Sequence, residues 1–295
     1  MTTTTAAAPI TKTLEVPGAT LTYDIRPSEG TTEPPLFLIG SPMGAGGFPT
    51  LAGHFPERTI VTYDPRGNGE RSTAHDPSAP ITPEVQADDV HRIIEEVGGS
   101  PVDMFASSGG AVVALALVAK YPNDIRTVIA HEPPLASLTP DREYALGVNR
   151  AINETYKRSG WGAGMAHFMT VVMHRGLFTA EDVSAPPPDP AMFGMPAGDD
   201  GRRTDLMLGH SVLYLTSFEP DFDALRRAPS RIVIGVGEKS DGELAHRGGE
   251  AAAERLGVEP TAFPGDHGGF LGGEYGQTGE PEAFAAKLRE VLAGA

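Results

Sequence analysis

Short apolar runs alternate with amphipathic stretches along most of the chain, and this rhythm predicts a sheet built by crossover connections. Thr11–Val16 and Thr20–Arg26, joined by Pro17-Gly18-Ala19, predict an opening antiparallel pair. Pro35–Ile39 is a continuous apolar run that stops at Gly40, as expected of a strand buried on both faces, and Arg58–Tyr63 is another. Pro83–Glu96 places Val85, Val90, Ile93 and Ile94 on one helical face and acids on the other. Pro101–Ala106 reads as a strand, the apolar stretch from Ala111 to Lys120 as a helix closing at Tyr121-Pro122, and Ile125–Ala130 as the next strand. Strands separated by helices imply right-handed crossovers and a mostly parallel sheet, an α/β fold.

The rhythm breaks at His131-Glu132-Pro133-Pro134. From there to about Asp221 the chain gives helix signals without strands, a Pro-rich loop at 185–190 and six of the nine methionines. Strand and helix signals then resume with Arg231–Val236, Glu243–Leu256, Glu259–Phe263 and Glu280–Leu292. No internal repeat is present. The pattern predicts one α/β core, residues 1–133 and 222–295, with a helical lid inserted at 134–221. Met165, Met169 and Met173 share a helical face with Phe168 and Val172, a stripe suited to core packing or to the wall of a pliable apolar pocket.

Composition narrows the functional classes. The 295 residues are 40% hydrophobic with mean hydropathy −0.18, and no run is long enough to span a membrane. A net charge of −16 disfavours binding to a phosphate backbone or an anionic membrane, so neither nucleic acid nor membrane is expected as a partner. The chain has no cysteine, which excludes disulfides, thiol catalysis and thiolate metal sites, and fits a cytoplasmic enzyme of small molecules. Met1–Pro9 lacks the basic and apolar regions of a signal peptide and reads as a disordered tail.

The chemistry concentrates where a predicted strand turns sharply into a helix, at Ala106-Ser107-Ser108-Gly109-Gly110. A nucleophile on such a bend needs small residues two positions before and after it. Centring on Ser107 puts Phe105 in a small slot, whereas centring on Ser108 puts Ala106 and Gly110 there. Ser108 is therefore the candidate nucleophile, the alternative being a serine that only caps the helix. The backbone N–H of Gly109 would sit at the helix N-terminus, where a developing oxyanion is favoured. A second donor is expected from the loop Gly40–Gly47, at Ser41. That loop lacks the Gly-Lys-[Ser/Thr] of a phosphate cradle. Asp64–Ser72 reads as a structural turn-rich loop, and Gly265-Asp266-His267-Gly268 supplies a candidate general base, His267. His167 and His174 lack metal-ligand spacing, so neither metal nor cofactor is expected.

Taken in order, these motifs resemble the α/β-hydrolase family over nearly the whole chain. Tyr63–Ser72 is similar to the family's Asp-x-Arg-Gly-x-Gly-x-Ser loop, Ala106–Gly110 to its nucleophile elbow, and Gly265–Gly268 to its histidine loop. Ile39-Gly40 stands where His-Gly is usual. The resemblance implies a serine hydrolase acting on a neutral, largely apolar ester or lactone through an acyl-enzyme. A cofactor-free haloperoxidase or perhydrolase, a C–C bond hydrolase and a non-catalytic binding protein of the same fold are the alternatives. In most members the triad acid follows the seventh strand; here Ser240 occupies that slot and Asp241 follows it. Certain haloalkane dehalogenases carry the acid after the sixth strand, which corresponds to Glu132. Glu132 is the preferred acid and Asp241 its competitor.

Overall fold

The computed structural model describes residues 8–67, 71–99 and 101–294. The tail Met1–Ala7 and the centre of the Asp64–Ser72 loop, Asn68–Glu70, lie outside the described residues. The strands are β1 (Ile10–Val16), β2 (Ala19–Arg26), β3 (Leu36–Ser41), β4 (Ile60–Asp64), β5 (Thr73–Ala74), β6 (Val102–Ser108), β7 (Ile125–His131), β8 (Arg231–Gly237) and β9 (Thr261–Phe263). They form one sheet in the order β1-β2-β4-β3-β6-β7-β8-β9, with the two-residue β5 paired to β2. Pairing is antiparallel from β1 to β4 and parallel from β4 through β9. This is the α/β architecture that the apolar rhythm predicts; β5 is too short to show in it.

The continuous apolar strands are buried on both faces, and successive residues feed different cores. Phe37 and Ile39 join Met104, Ala106, Val128 and Ala130 under the helices α2 (Pro83–Val97), α3 (Gly109–Lys120) and α9 (Leu244–Leu256). Leu36, Leu38, Phe105 and Ile129 point the other way, toward α1 (Pro49–Gly53) and α10 (Pro281–Ala293). Between β7 and β8 the described chain is helical: α4 (Arg142–Ser159), α5 (Trp161–Val172), α6 (Ala180–Ser184), a π-helical turn Met207–Ser211 leading into α7 (Val212–Ser217), then α8 (Phe222–Arg227). Val148, Ile152, Tyr156, Val171 and Leu208 give this segment a small core of its own, which Leu244 of α9 joins. Asp141 clamps it to the sheet-side layer, bonding Arg247 of α9 at 2.7 Å and accepting from the Phe178 N–H.

The Asp64–Ser72 loop is held by ion pairs. Arg66 makes a two-point contact with the buried Asp89, and Arg71 bridges Asp24 and Asp64. Asp64 also accepts from the Ala45 N–H at 2.8 Å, fixing the loop after β3.

His131 ends β7 inside an aromatic layer, its ring 5.3 Å from Phe284 and 5.8 Å from both Phe105 and Phe263. Neither ring nitrogen has a partner among the described residues. Burial therefore pushes its pKa down, to about 4. An unfolded chain binds that proton more readily, so the His131 contribution is fully present above about pH 6.5 and is lost as pH falls toward 4. The loss approaches about 3 kcal/mol. Urea denaturation from pH 4 to 7.5 is expected to show His131→Phe losing less stability than wild type on acidification. Parallel losses in the two proteins would show that His131 does not carry the effect.

Candidate active site

β6 runs into α3 without a connecting loop. The bend falls on Ser108, whose φ of 57° and ψ of −127° suit glycine better than serine. Such a conformation costs on the order of 1–3 kcal/mol and persists only where surroundings enforce it. Here β3 enforces it. A Cβ on Gly109 would overlap the Ser41 carbonyl oxygen, and one on Gly110 would lie 2.7 Å from Gly40 Cα and 2.8 Å from the Ile39 oxygen. Both positions therefore require glycine; at Gly110 this is what the steric reading of the motif demands, and at Gly109 it goes beyond that reading. Ser107 is buried, its backbone paired between Gly40 and His131, while Ser108 is partly exposed. The Phe105 ring turns into the aromatic layer, 5.4 Å from Phe270 and Phe284.

Glu132 follows β7, which is the sixth strand when the short β5 is left out. Its φ is 49°, and its N–H donates to Gly235 O. That backbone turn aims the fully buried carboxylate across the end of β8. Oε2 lies 2.5 Å from His267 Nδ1; because a carboxylate only accepts, Nδ1 carries the proton, and in the neutral ring Nε2 keeps its lone pair. Oε1 accepts from the Gly237 N–H at 2.8 Å and from Ser240 Oγ. Burial alone would raise the Glu132 pKa, but hydrogen bonds from His246 and His267 reverse this and hold it well below the usual carboxylate range. Burial likewise lowers the His267 pKa, and the bond to Glu132 outweighs it, leaving the imidazole above its ordinary value.

The histidine loop is fixed by its own backbone. Gly265 adopts φ 86°, Lys239 N–H donates to Gly265 O, and Gly269 N–H donates to Asp266 O. Asp241 is exposed.

Ser108, Gly109, Ser41, Pro42 and His267 line one cavity of 70 Å³. Its opposite wall comes from the helical insertion, through Phe168, Val171, Val172 and Met207. Of the predicted methionine stripe, none lines this cavity. Met165 and Met169 are half-buried, and Met173 is 62% exposed at the end of α5. The cavity meets only one edge of the predicted face: Phe168 and Val172 from that face line it together with Val171, and the methionines on the rest of the face do not. Glu243, also on the cavity wall, is raised by burial and paired with Arg175 at 3.0 Å. Ser240 and His246, both against Glu132, were not singled out by sequence reasoning. The only signal for Ser240 was its place in the usual acid slot.

A family model described as the alpha/beta hydrolase fold matches residues 36–180. The chain has the α/β-hydrolase fold. It is 28% identical over 294 residues to the uncharacterized hydrolase YraK of Bacillus subtilis (strain 168), an alignment covering 95% of each chain. Among solved structures it is similar to a thermophilic esterase from Thermogutta terrifontis with malate bound, at 21% identity and TM-score 0.66, covering 98% of this chain and 99% of that one. It is also similar to the enol-lactonase from Burkholderia xenovorans LB400, at 18% identity and TM-score 0.67, covering 96% and 100%. No helix among the described residues is long and apolar enough to cross a membrane.

Proposed function

We propose that this α/β-hydrolase is a serine hydrolase of neutral, largely apolar carboxylic esters or lactones, acting without a cofactor on small molecules of the cytoplasm. The observation that carries the reading is the Glu132–His267 pair at 2.5 Å, whose histidine lines the same cavity as the strained Ser108. His267 Nε2 takes the Ser108 hydroxyl proton as Oγ attacks the carbonyl carbon. The N–H groups of Ser41 and Gly109 stabilise the oxyanion, and Glu132 stabilises the imidazolium. As the tetrahedral intermediate collapses, His267 returns its proton to the leaving alkoxide. A water, deprotonated by His267, then attacks the acyl-enzyme; the carboxylic acid leaves and Ser108 is restored.

The cavity supports a small substrate. Its 70 Å³ equals room for about five waters, which suits a short acyl group. Its wall is mostly apolar, and the one acid on it, Glu243, is paired, which supports a neutral ligand. The segment 134–221 acts in this reading as the lid that sets acyl preference.

The test is a p-nitrophenyl acetate assay with and without a fluorophosphonate, followed by mass mapping of the labelled protein. Turnover that the phosphonate abolishes, with one adduct on the peptide carrying Ser108, is expected. A folded protein left unlabelled at Ser108 overturns the reading.

A further inference from the structure

Glu132 serves two histidines. Its Oε1 lies 3.4 Å from His246 Nδ1, and Ser240 stands beside both, its Oγ donating to Oε1 and lying 3.2 Å from Nδ1. Because the Ser240 proton goes to the carboxylate, its oxygen is left to accept from His246 Nδ1–H. His246 is 7% exposed on α9, with Nε2 directed at Glu250 Oε1 3.6 Å away.

We propose that His246 is a positioning residue that, by competing with His267 for the Glu132 carboxylate, extends the working range of the triad to lower pH. With His246 neutral, the carboxylate charge is available to His267 in full. With His246 protonated, a cation sits against Oε1, and His267 binds its own proton less tightly. Its Nε2 lone pair then remains free as a base at a pH where an unshared Glu132 would hold it protonated. Two sites linked this closely titrate as a coupled pair.

The groups facing His246 favour the cation. Glu132 comes from the end of β7, Asp241 from the loop after β8, and Glu250 from α9 itself. The adjoining segment Pro133–Leu138 adds no charged side chain, and the nearby His131 is buried and unpartnered. The Glu132 carboxylate beside Nδ1 raises the His246 pKa against the opposing effect of burial, with Glu250 and Asp241 adding to the rise.

The inference rests on the triad reading, and the experiment separates the two. His246→Asn keeps an amide donor where Nδ1 stands but cannot titrate. In histidine C2-proton NMR titrations, His267 in this variant is expected to titrate about one pH unit higher than in wild type. That readout needs no turnover, so it stands even if no ester is cleaved. Where p-nitrophenyl acetate is cleaved, the acid limb of kcat/KM moves up by the same amount, whatever happens to the plateau. An unmoved His267 titration overturns the proposal, and so does a lowered plateau with an unmoved limb, which is the mark of a purely structural role. Should His246→Asn fail to fold, wild-type titration decides: two histidines that each show a biphasic curve support the coupling, and two independent single-site curves refute it.

Discussion

Ser108→Ala is expected to lower kcat for a p-nitrophenyl ester by about 10⁶-fold, the scale of nucleophile loss in a serine protease. Ser107→Ala is expected to stay within a few-fold of wild type. The two serines are adjacent, and only the backbone distinguishes them. Ser107 is a buried strand residue paired on both sides, whereas Ser108 stands at the bend and faces the cavity. A third variant separates the strain from the chemistry. Glycine tolerates a φ of 57° that alanine does not, so Ser108→Gly should be as inactive as Ser108→Ala and yet melt higher. Equal activity losses at 107 and 108 would place the nucleophile in the wrong register. A Ser108→Gly protein that melts no higher would show that the bend stores no strain.

That bend was legible because it is a local steric problem. Two glycines after a serine, at the junction of an apolar strand and an apolar helix, are what a backbone pressed against β3 requires. The sheet was legible for a related reason: strands buried on both faces need unbroken apolar runs, and Leu36–Ile39 and Met104–Ala106 supply them. Features that depend on distant parts of the chain were not legible. His246 reads as an ordinary residue of an amphipathic helix until α9 packs beside β8. The pocket role of the methionines on α5 was not legible for the same reason: packing against α4 and the π-helical turn decides that Phe168 and Val172, and not the methionines of that face, meet the cavity.

The acid slot combines both situations. Ser240 in the usual position and a glutamate after the preceding strand were visible in the sequence, but not their connection. In the folded chain the serine hydroxyl donates to Glu132, so the residue in the usual acid slot supports the carboxylate proposed to replace it. A longer side chain makes the displacement possible. Glu132 departs from the end of β7 with positive φ and reaches His267 past the end of β8, where the Gly237 N–H meets it.

The sharpest test of that arrangement is Glu132→Gln against Asp241→Asn. In Glu132→Gln the amide oxygen can still accept from Gly237 N–H and Ser240, so the buried site keeps its shape. The amide nitrogen then faces His267 Nδ1 and donates to it, which moves the ring proton to Nε2 and removes the lone pair that Ser108 needs. In a Ser-His-Asp protease the equivalent amide exchange costs about 10⁴ in kcat, and a loss of that order is expected here. Asp241 is exposed on the loop after β8, so Asp241→Asn should change kcat by less than about twofold, the range typical of surface substitutions. Thermal melts of both variants close to wild type would tie the loss to tautomer and charge, not to unfolding. The reverse ranking would return the acid to its common place after the seventh strand. Near-wild-type turnover in both would mean that His267 works without a carboxylate, and the 2.5 Å contact with Glu132 would then have no part in the chemistry.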